Sequence, residues 1–76
     1  MEHLDKAKCR LFYKIIGYSE KSPLKIKRRL LELGLTEGQK IRVVRKSLLG
    51  KAFLIEVRGY SLSIRKNLAS FVLIGR

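Results

Sequence analysis

The chain has 76 residues, of which 46% are hydrophobic and 32% charged, and this composition excludes a disordered chain and leaves room for one domain only. Eighteen lysines and arginines against six acidic residues give a net charge of +12, which indicates an anionic partner such as nucleic acid, anionic lipid or an acidic protein surface. No apolar run reaches the ~20 residues of a membrane span, and the N-terminus lacks the apolar core of a signal peptide.

The residue types that most often act in catalysis or bind metal ions are few or scattered in this chain. The single cysteine, Cys9, cannot form an internal disulfide, so a reducing compartment suits the chain. The only histidine, His3, lies near a terminus that we expect to fray, and the carboxylates are scattered. We therefore expect a cytoplasmic protein of one domain, residues 1–76, without catalytic residues, metal ligands, cofactor or small-molecule substrate.

Residues 8–17 alternate and predict the first strand, with Cys9, Leu11, Tyr13 and Ile15 on its inward face. An inward cysteine behaves as a small hydrophobic residue, so no reactive role is predicted for it.

Ser22 and Pro23 predict the start of a helix of about ten residues. A serine can cap a first-turn amide, and a proline at the first helical position has no amide to satisfy. An apolar stripe follows, made by Ile26, Leu30, Leu33 and, at its margin, Leu31. Gly34 is expected to end the helix in a left-handed conformation, and Leu35 is expected to fold back onto Leu30.

Four further strands are predicted over residues 40–46, 52–58, 60–64 and 71–74, with one helical turn over 65–70. The predicted turns lie at Gly34, Gly38, Gly50 and Gly59. Five short strands at close spacing predict a mainly β protein, a small partly open barrel with one short α-helix laid across it.

Cations in the first turns of the helix are one candidate for binding. They are Lys25, Lys27, Arg28 and Arg29. Cations at a helix N-terminus are slightly unfavourable, so they either meet an anionic surface or simply line a solvated face.

The hairpin tip and the end of the fourth strand are two further candidates. Leu48 and Leu49 stand where polar residues are expected, and they either tuck under the barrel or form an exposed apolar contact. Arg65 and Lys66 either pair with Glu56 or stay solvated.

The aromatic side chains are assigned to the core rather than to base stacking; they are Phe12, Tyr13, Tyr18, Phe53, Tyr60 and Phe71. Barrels that bind nucleic acid expose aromatic residues among basic ones on one sheet face. Phe53 is instead in phase with Ile55 and Val57. The net charge nevertheless keeps a small basic nucleic-acid-binding barrel as an alternative function.

Several segments taken together resemble the FeoA domain. They are Leu30-x-x-Leu33-Gly34-Leu35-x-x-Gly38, a basic alternating strand, Leu49-Gly50, and Arg58-Gly59-Tyr60-x-Leu62-Ser63-Ile64-Arg65. The resemblance implies an SH3-like barrel and a cytoplasmic, non-enzymatic accessory protein of bacterial Fe(II) uptake, which touches the cytosolic part of the FeoB permease and GTPase. The same domain also occurs at the C-terminus of iron- and manganese-dependent repressors. A free-standing relative of that repressor domain is therefore a second alternative.

The accessory role predicts a partner-binding surface. We expect apolar contact from Leu48, Leu49 and Tyr60. We expect electrostatic steering from Arg28, Arg29 and Arg45.

Overall fold

Six antiparallel strands form one sheet in the computed structural model of this protein, which describes residues 2–76. The strands are β1 (Glu2–His3), β2 (Phe12–Tyr18), β3 (Lys40–Lys46), β4 (Ala52–Val57), β5 (Tyr60–Arg65) and β6 (Val72–Gly75). Their order in the sheet is β1-β6-β2-β3-β4-β5, so the last strand lies between the first two. The helices are α1 (Leu24–Glu32) and the single turn α2 (Lys66–Ala69), and a 3₁₀ turn spans Leu4–Lys6.

Strands β3 and β4 show how the sheet acquires one buried face. Ile41 and Val43 are fully buried and stand opposite Val57 and Ile55 of the neighbouring strand. Alternation places these four side chains on the same side of the pleat, where burial of each contributes roughly 1.5–3 kcal/mol. The predicted strand over residues 40–46 is confirmed. The rest of the core consists of Leu4, Ala7, Tyr13, Ile15, Leu30, Leu35, Phe53, Ile64, Ala69, Val72 and Ile74.

Strand β1 was not predicted, and the sheet has six strands rather than about five. Glu2 pairs with Ile74 and His3 with Leu73. The Nδ1 of His3 also donates a hydrogen bond of 2.7 Å to the carbonyl of Ser70. The prediction that this terminus frays is therefore wrong for the described residues. A two-residue strand is too short to show alternation, which is why the sequence gives no sign of it.

The first long strand begins at Phe12 rather than at residue 8, and the prediction that Cys9 faces inward is wrong. Cys9 is exposed. Arg10 has a φ of 70°, which interrupts the extended backbone and with it the alternation of faces. From Phe12 onward the pattern holds, and Tyr13 and Ile15 face the core as predicted.

Helix α1 begins one residue later than predicted. Pro23 is extended (φ −60°, ψ 149°) at the N-cap, and no side chain caps the first turn. The predicted cap, Ser22, has an Oγ without a hydrogen-bond partner among the described residues. Because Pro23 itself takes the N-cap position and drives its predecessor toward an extended conformation, Ser22 lies outside capping range. Leu31, expected at the margin of the buried stripe, is exposed, whereas Leu30 is fully buried.

The C-terminal end of α1 forms a Schellman cap around Gly34, whose φ is 85°. The amide of Gly34 donates to the carbonyl of Leu31, and the amide of Leu35 donates to the carbonyl of Leu30, each over 3.0 Å. Leu30 and Leu35 are both fully buried, so the predicted fold-back is confirmed.

Two tyrosine hydroxyls fasten this cap to the sheet. Tyr60 donates to the carbonyl of Leu33, and Tyr18 donates to the carbonyl of Leu35, each over 2.5 Å. Carbonyls at a helix C-terminus have no partner within the helix, so these bonds satisfy groups that would otherwise rely on water. A Cβ atom at Gly34 would overlap the Tyr60 hydroxyl, and this close approach requires glycine.

Candidate functional site

A groove of about 720 Å³ lies between α1, α2 and the end of β5. Leu24 and Leu68 give it apolar walls, and Leu24 is 66% exposed. Arg28, Arg29 and Arg65 line the same space. Apolar and cationic groups side by side fit an acidic amphipathic segment of another protein.

The groove forms where the end of α1 is hydrogen-bonded to the edge strand β5. Leu33, just beyond the end of α1, accepts a hydrogen bond from Tyr60, the first residue of β5. Arg28, in the middle of α1, lines the groove together with Arg65, the last residue of β5. Sequence reasoning missed this groove because its walls are far apart in the chain. The signals in the sequence were Arg28 and Arg29, which were candidates for binding, and Leu24, an apolar residue outside the buried stripe.

The β3–β4 hairpin presents two leucines to solvent. Leu48 is fully exposed and Leu49 is 77% exposed. Of the two predicted arrangements, the structure has the exposed one and excludes the one tucked under the barrel. Three cations, Arg45, Lys46 and Lys51, flank the pair in sequence.

Hydrogen bonds around Ser47 determine the shape of this hairpin tip. The Ser47 amide donates to the carbonyl of Ala52 over 2.8 Å, and the Ser47 carbonyl accepts from Gly50 over 2.9 Å. The Ser47 Oγ accepts from the amides of Lys51 and Ala52, each over 3.1 Å. The turn is thus ordered without a partner, and little further ordering is needed to present the leucines.

The predicted partner-binding residues lie on separate surfaces. Arg28 and Arg29 line the groove. Arg45, Leu48 and Leu49 belong to the β3–β4 hairpin, and Tyr60 is the first residue of β5. Tyr60 is exposed, so its assignment to the core is wrong. Its hydroxyl is engaged with Leu33, and only its ring is free for apolar contact.

Phe12 lies on the outer face of the sheet and not in the core, where it was predicted. It is 52% exposed. The Nζ of Lys40 and the Cζ of Arg42 lie 5.3 Å and 5.1 Å from the centre of its ring, within cation–π range. Lys14 stands directly opposite Lys40 on the neighbouring strand. An exposed aromatic ring among cations is therefore present on this face.

Glu56 pairs with Arg42, with 2.9 Å between Nε and Oε1. Of the two alternatives for Arg65 and Lys66, pairing with Glu56 is therefore excluded and the solvated arrangement holds, because the carboxylate faces the neighbouring strand β3. Arg65 and Lys66 remain exposed.

Among residues 2–76, no group of three or more His, Cys, Asp or Glu side chains is placed to hold a metal ion. Neither helix in that range has the length and apolar character needed to cross a membrane.

The family model of the FeoA domain matches residues 4–76, nearly the whole chain. The chain belongs to the FeoA family. The resemblance recognised in the sequence is confirmed. No curated protein matches this FeoA chain.

Solved structures agree with this assignment. A FeoA-like protein from Clostridium acetobutylicum is 30% identical, with a TM-score of 0.85 over 95% of this chain and 81% of that one. Stenotrophomonas maltophilia FeoA, complexed with zinc, is 24% identical with a TM-score of 0.82 over 97% of this chain and 89% of that one. It is described as a prokaryotic SH3 domain protein with a suggested role as a ferrous iron transport activating factor.

A more distant likeness concerns the fold alone. The manganese regulator SloR is 18% identical, with a TM-score of 0.81, and the match covers 97% of this FeoA chain but 34% of the regulator. The predicted fold class, a mainly β, SH3-like structure with one short α-helix, is confirmed.

Proposed function

We propose that this FeoA protein is a non-enzymatic, cytoplasmic accessory protein of Fe(II) uptake that acts by contact with the cytosolic part of a FeoB-type permease and GTPase. Membership of the FeoA family supports the pathway. The groove between α1 and β5 is the observation that supports a mechanism of protein–protein contact.

The groove is suited to a protein ligand because its cations are largely unpaired. Among the described residues, Arg29 has one ion pair there, with Glu32 at 3.7 Å, and both side chains are more than half exposed. Such a pair contributes little, so most of the positive charge stays available to steer an acidic partner. Arginine is also one of the residue types that contribute most to binding energy at protein interfaces.

The test is capture of the permease by the tagged full chain from detergent-solubilised membranes, with and without nuclease, followed by mass spectrometry. We expect Arg28→Glu with Arg29→Glu to lower capture at least ~10-fold, because reversal of two steering charges replaces attraction with repulsion. The matched control, Lys14→Glu with Lys40→Glu, makes the same change of charge on the outer sheet face and should retain capture. Equal loss in both variants, or no capture by the wild-type protein, would contradict the proposal.

A nucleic-acid-binding role is the second candidate, and exposed Phe12 between Lys40 and Arg42 is the observation that favours it. A base can stack on such a ring while the cations meet phosphates. The same experiment separates the two candidates. Partners that disappear on nuclease treatment, and that depend on Lys14 and Lys40 rather than on Arg28 and Arg29, would indicate nucleic acid.

A further inference from the structure

We infer that the β3–β4 hairpin is a lipid-contacting element, which rests its tip on the surface of an anionic phospholipid bilayer. This inference rests on the proposed function, because a chain that binds the cytosolic part of a permease is held close to the membrane surface. It assigns bilayer lipid as the ligand of the hairpin, while the groove remains the surface for protein.

The apolar part of the argument is the shape of the tip. Leu48 and Leu49 are adjacent residues in the turn between β3 and β4, and both side chains are highly exposed. A protein partner would have to supply a matching cavity for both, whereas the acyl region of a bilayer accepts apolar side chains of any shape. The hydrogen bonds of Ser47 hold the turn in this form in advance.

The charges around the tip are the second part of the argument. Arg45, Lys46 and Lys51 flank the leucines, and no acidic residue occurs between Glu37 and Glu56. Each cation that reaches an anionic surface raises partitioning roughly fivefold.

This positive surface continues beside the tip of the hairpin. Lys51 lines a hollow of about 420 Å³ together with Arg65 and Lys66. Asp5 is the one carboxylate in that lining, so three cations face a single acid there. Leucines at the tip with cations behind them form an amphipathic element of the type that lies in a membrane interface.

Two leucines give weak and reversible membrane contact on their own, as a single short anchor does. Simultaneous binding of the permease would make the lipid contact effectively intramolecular and so strengthen both contacts. The hairpin would thereby orient the protein on the membrane rather than anchor it alone.

The test is co-sedimentation of the full chain with phosphatidylcholine vesicles that contain about 30% phosphatidylglycerol, compared with phosphatidylcholine alone. We expect binding to the anionic vesicles only. Leu48→Ser with Leu49→Ser should lower the partition coefficient at least ~10-fold, since each leucine loses its apolar burial. The control, Leu24→Ser with Leu31→Ser, removes two exposed leucines of α1 and should change it less than about twofold.

Substitutions of lysine by glutamine test the contribution of the cations around the tip. Lys46→Gln with Lys51→Gln should lower partitioning about 25-fold, whereas Lys25→Gln with Lys27→Gln, which has the same net charge, should have a much smaller effect. The chain contains no tryptophan, so Leu48→Trp provides a single reporter at the tip. Its emission should shift to shorter wavelength with anionic vesicles.

The inference is overturned if vesicles do not bind the protein, if binding is insensitive to Leu48 and Leu49, or if the two leucine variants lose it equally. It is also overturned if Leu48→Ser with Leu49→Ser abolishes capture of the permease in detergent, because the tip would then bind protein. The proposed function fails separately, through the absence of that capture by the wild-type chain.

Discussion

At Gly34 two independent features disfavour any side chain: the conformation of the backbone, and a side chain from a distant strand that lies close to it. The glycine adopts a φ of 85° to end α1, and the Tyr60 hydroxyl lies where a Cβ would be. Gly38 has a similar φ of 90° but no atom within 4 Å of a Cβ position. A comparison of substitutions at Gly34 and Gly38 therefore separates the free-energy cost of a left-handed backbone from the cost of a steric clash with the Tyr60 hydroxyl.

We expect Gly34→Ala to lower the free energy of unfolding by about 2–3 kcal/mol. A left-handed alanine costs roughly 1–2 kcal/mol, and displacement of the Tyr60 hydroxyl removes a hydrogen bond worth about 1 kcal/mol. The control, Gly38→Ala, should show only the backbone cost. Urea denaturation measures both values, and equal losses would refute the steric argument.

The helix α1 is held at its C-terminal end by elements on both sides. Tyr18 at the end of β2 and Tyr60 at the start of β5 donate to carbonyls of the cap. Burial raises the pKa of the Tyr18 hydroxyl above its usual value, and the nearby Glu37 carboxylate raises that pKa further. The neutral hydroxyl is therefore the form that the folded state favours.

We expect Tyr18→Phe to cost about 1 kcal/mol near neutral pH, because the carbonyl of Leu35 loses its donor. Since the pKa of Tyr18 is higher in the folded than in the unfolded state, its contribution is full below the unfolded value of about 10 and is lost as the pH rises through the folded value. The difference in unfolding free energy between the two proteins should shrink above that pH. A difference that stays constant from about pH 8 to 11 would contradict this assignment.

The elements that sequence reasoning predicts well are those with one buried face. Strand β3 matches its prediction because Ile41 and Val43 alternate with cations. The backbone at Arg10, which ends the alternation before Phe12, has no signal in the sequence, because a positive φ at arginine is uncommon. Pro23 was recognised as a helix start, but its own role as N-cap shifted the boundary.

The candidate site was predictable only where its residues are consecutive. The hairpin leucines are anomalous in the sequence itself, since turns are usually polar. The groove depends on Arg28 and Arg65 being brought together by the edge of the sheet, which no local pattern reports. Phe12 was assigned to the core because periodicity alone cannot say which of two faces of a strand is covered.

Across the whole molecule, the charge is large for the volume that it occupies. The net charge of +12 is held within extents of 29 × 24 × 23 Å. The described residues contain two ion pairs, Arg29–Glu32 and Arg42–Glu56. At an ionic strength of about 0.01 M the Debye length is ~30 Å, so each cation repels nearly every other; near 0.1 M it falls to ~10 Å.

We expect the melting temperature to rise by several degrees between about 0.01 M and 0.1 M sodium chloride, because screening relieves repulsion in the compact state. A gain on the order of 1 kcal/mol corresponds to about 4–8 °C for a chain of this size. The variant Lys14→Glu with Lys40→Glu lowers the net charge by four, from +12 to +8, and should respond less. A melting temperature that falls or stays constant with added salt would show that repulsion is not a significant term.

The strand order has a consequence for synthesis. Strands β3, β4 and β5 form a meander of neighbouring hairpins, so they can pair while the rest of the chain is still being made. Strands β1 and β2 are separated in the sheet by β6, which is synthesised after the other five strands. Until Gly75 has emerged, β2 keeps an unpaired edge and β1 has no partner. A nascent chain that stalls before β6 has emerged therefore exposes an unpaired strand edge, which favours aggregation, and the arrival of β6 pairs both strands at once.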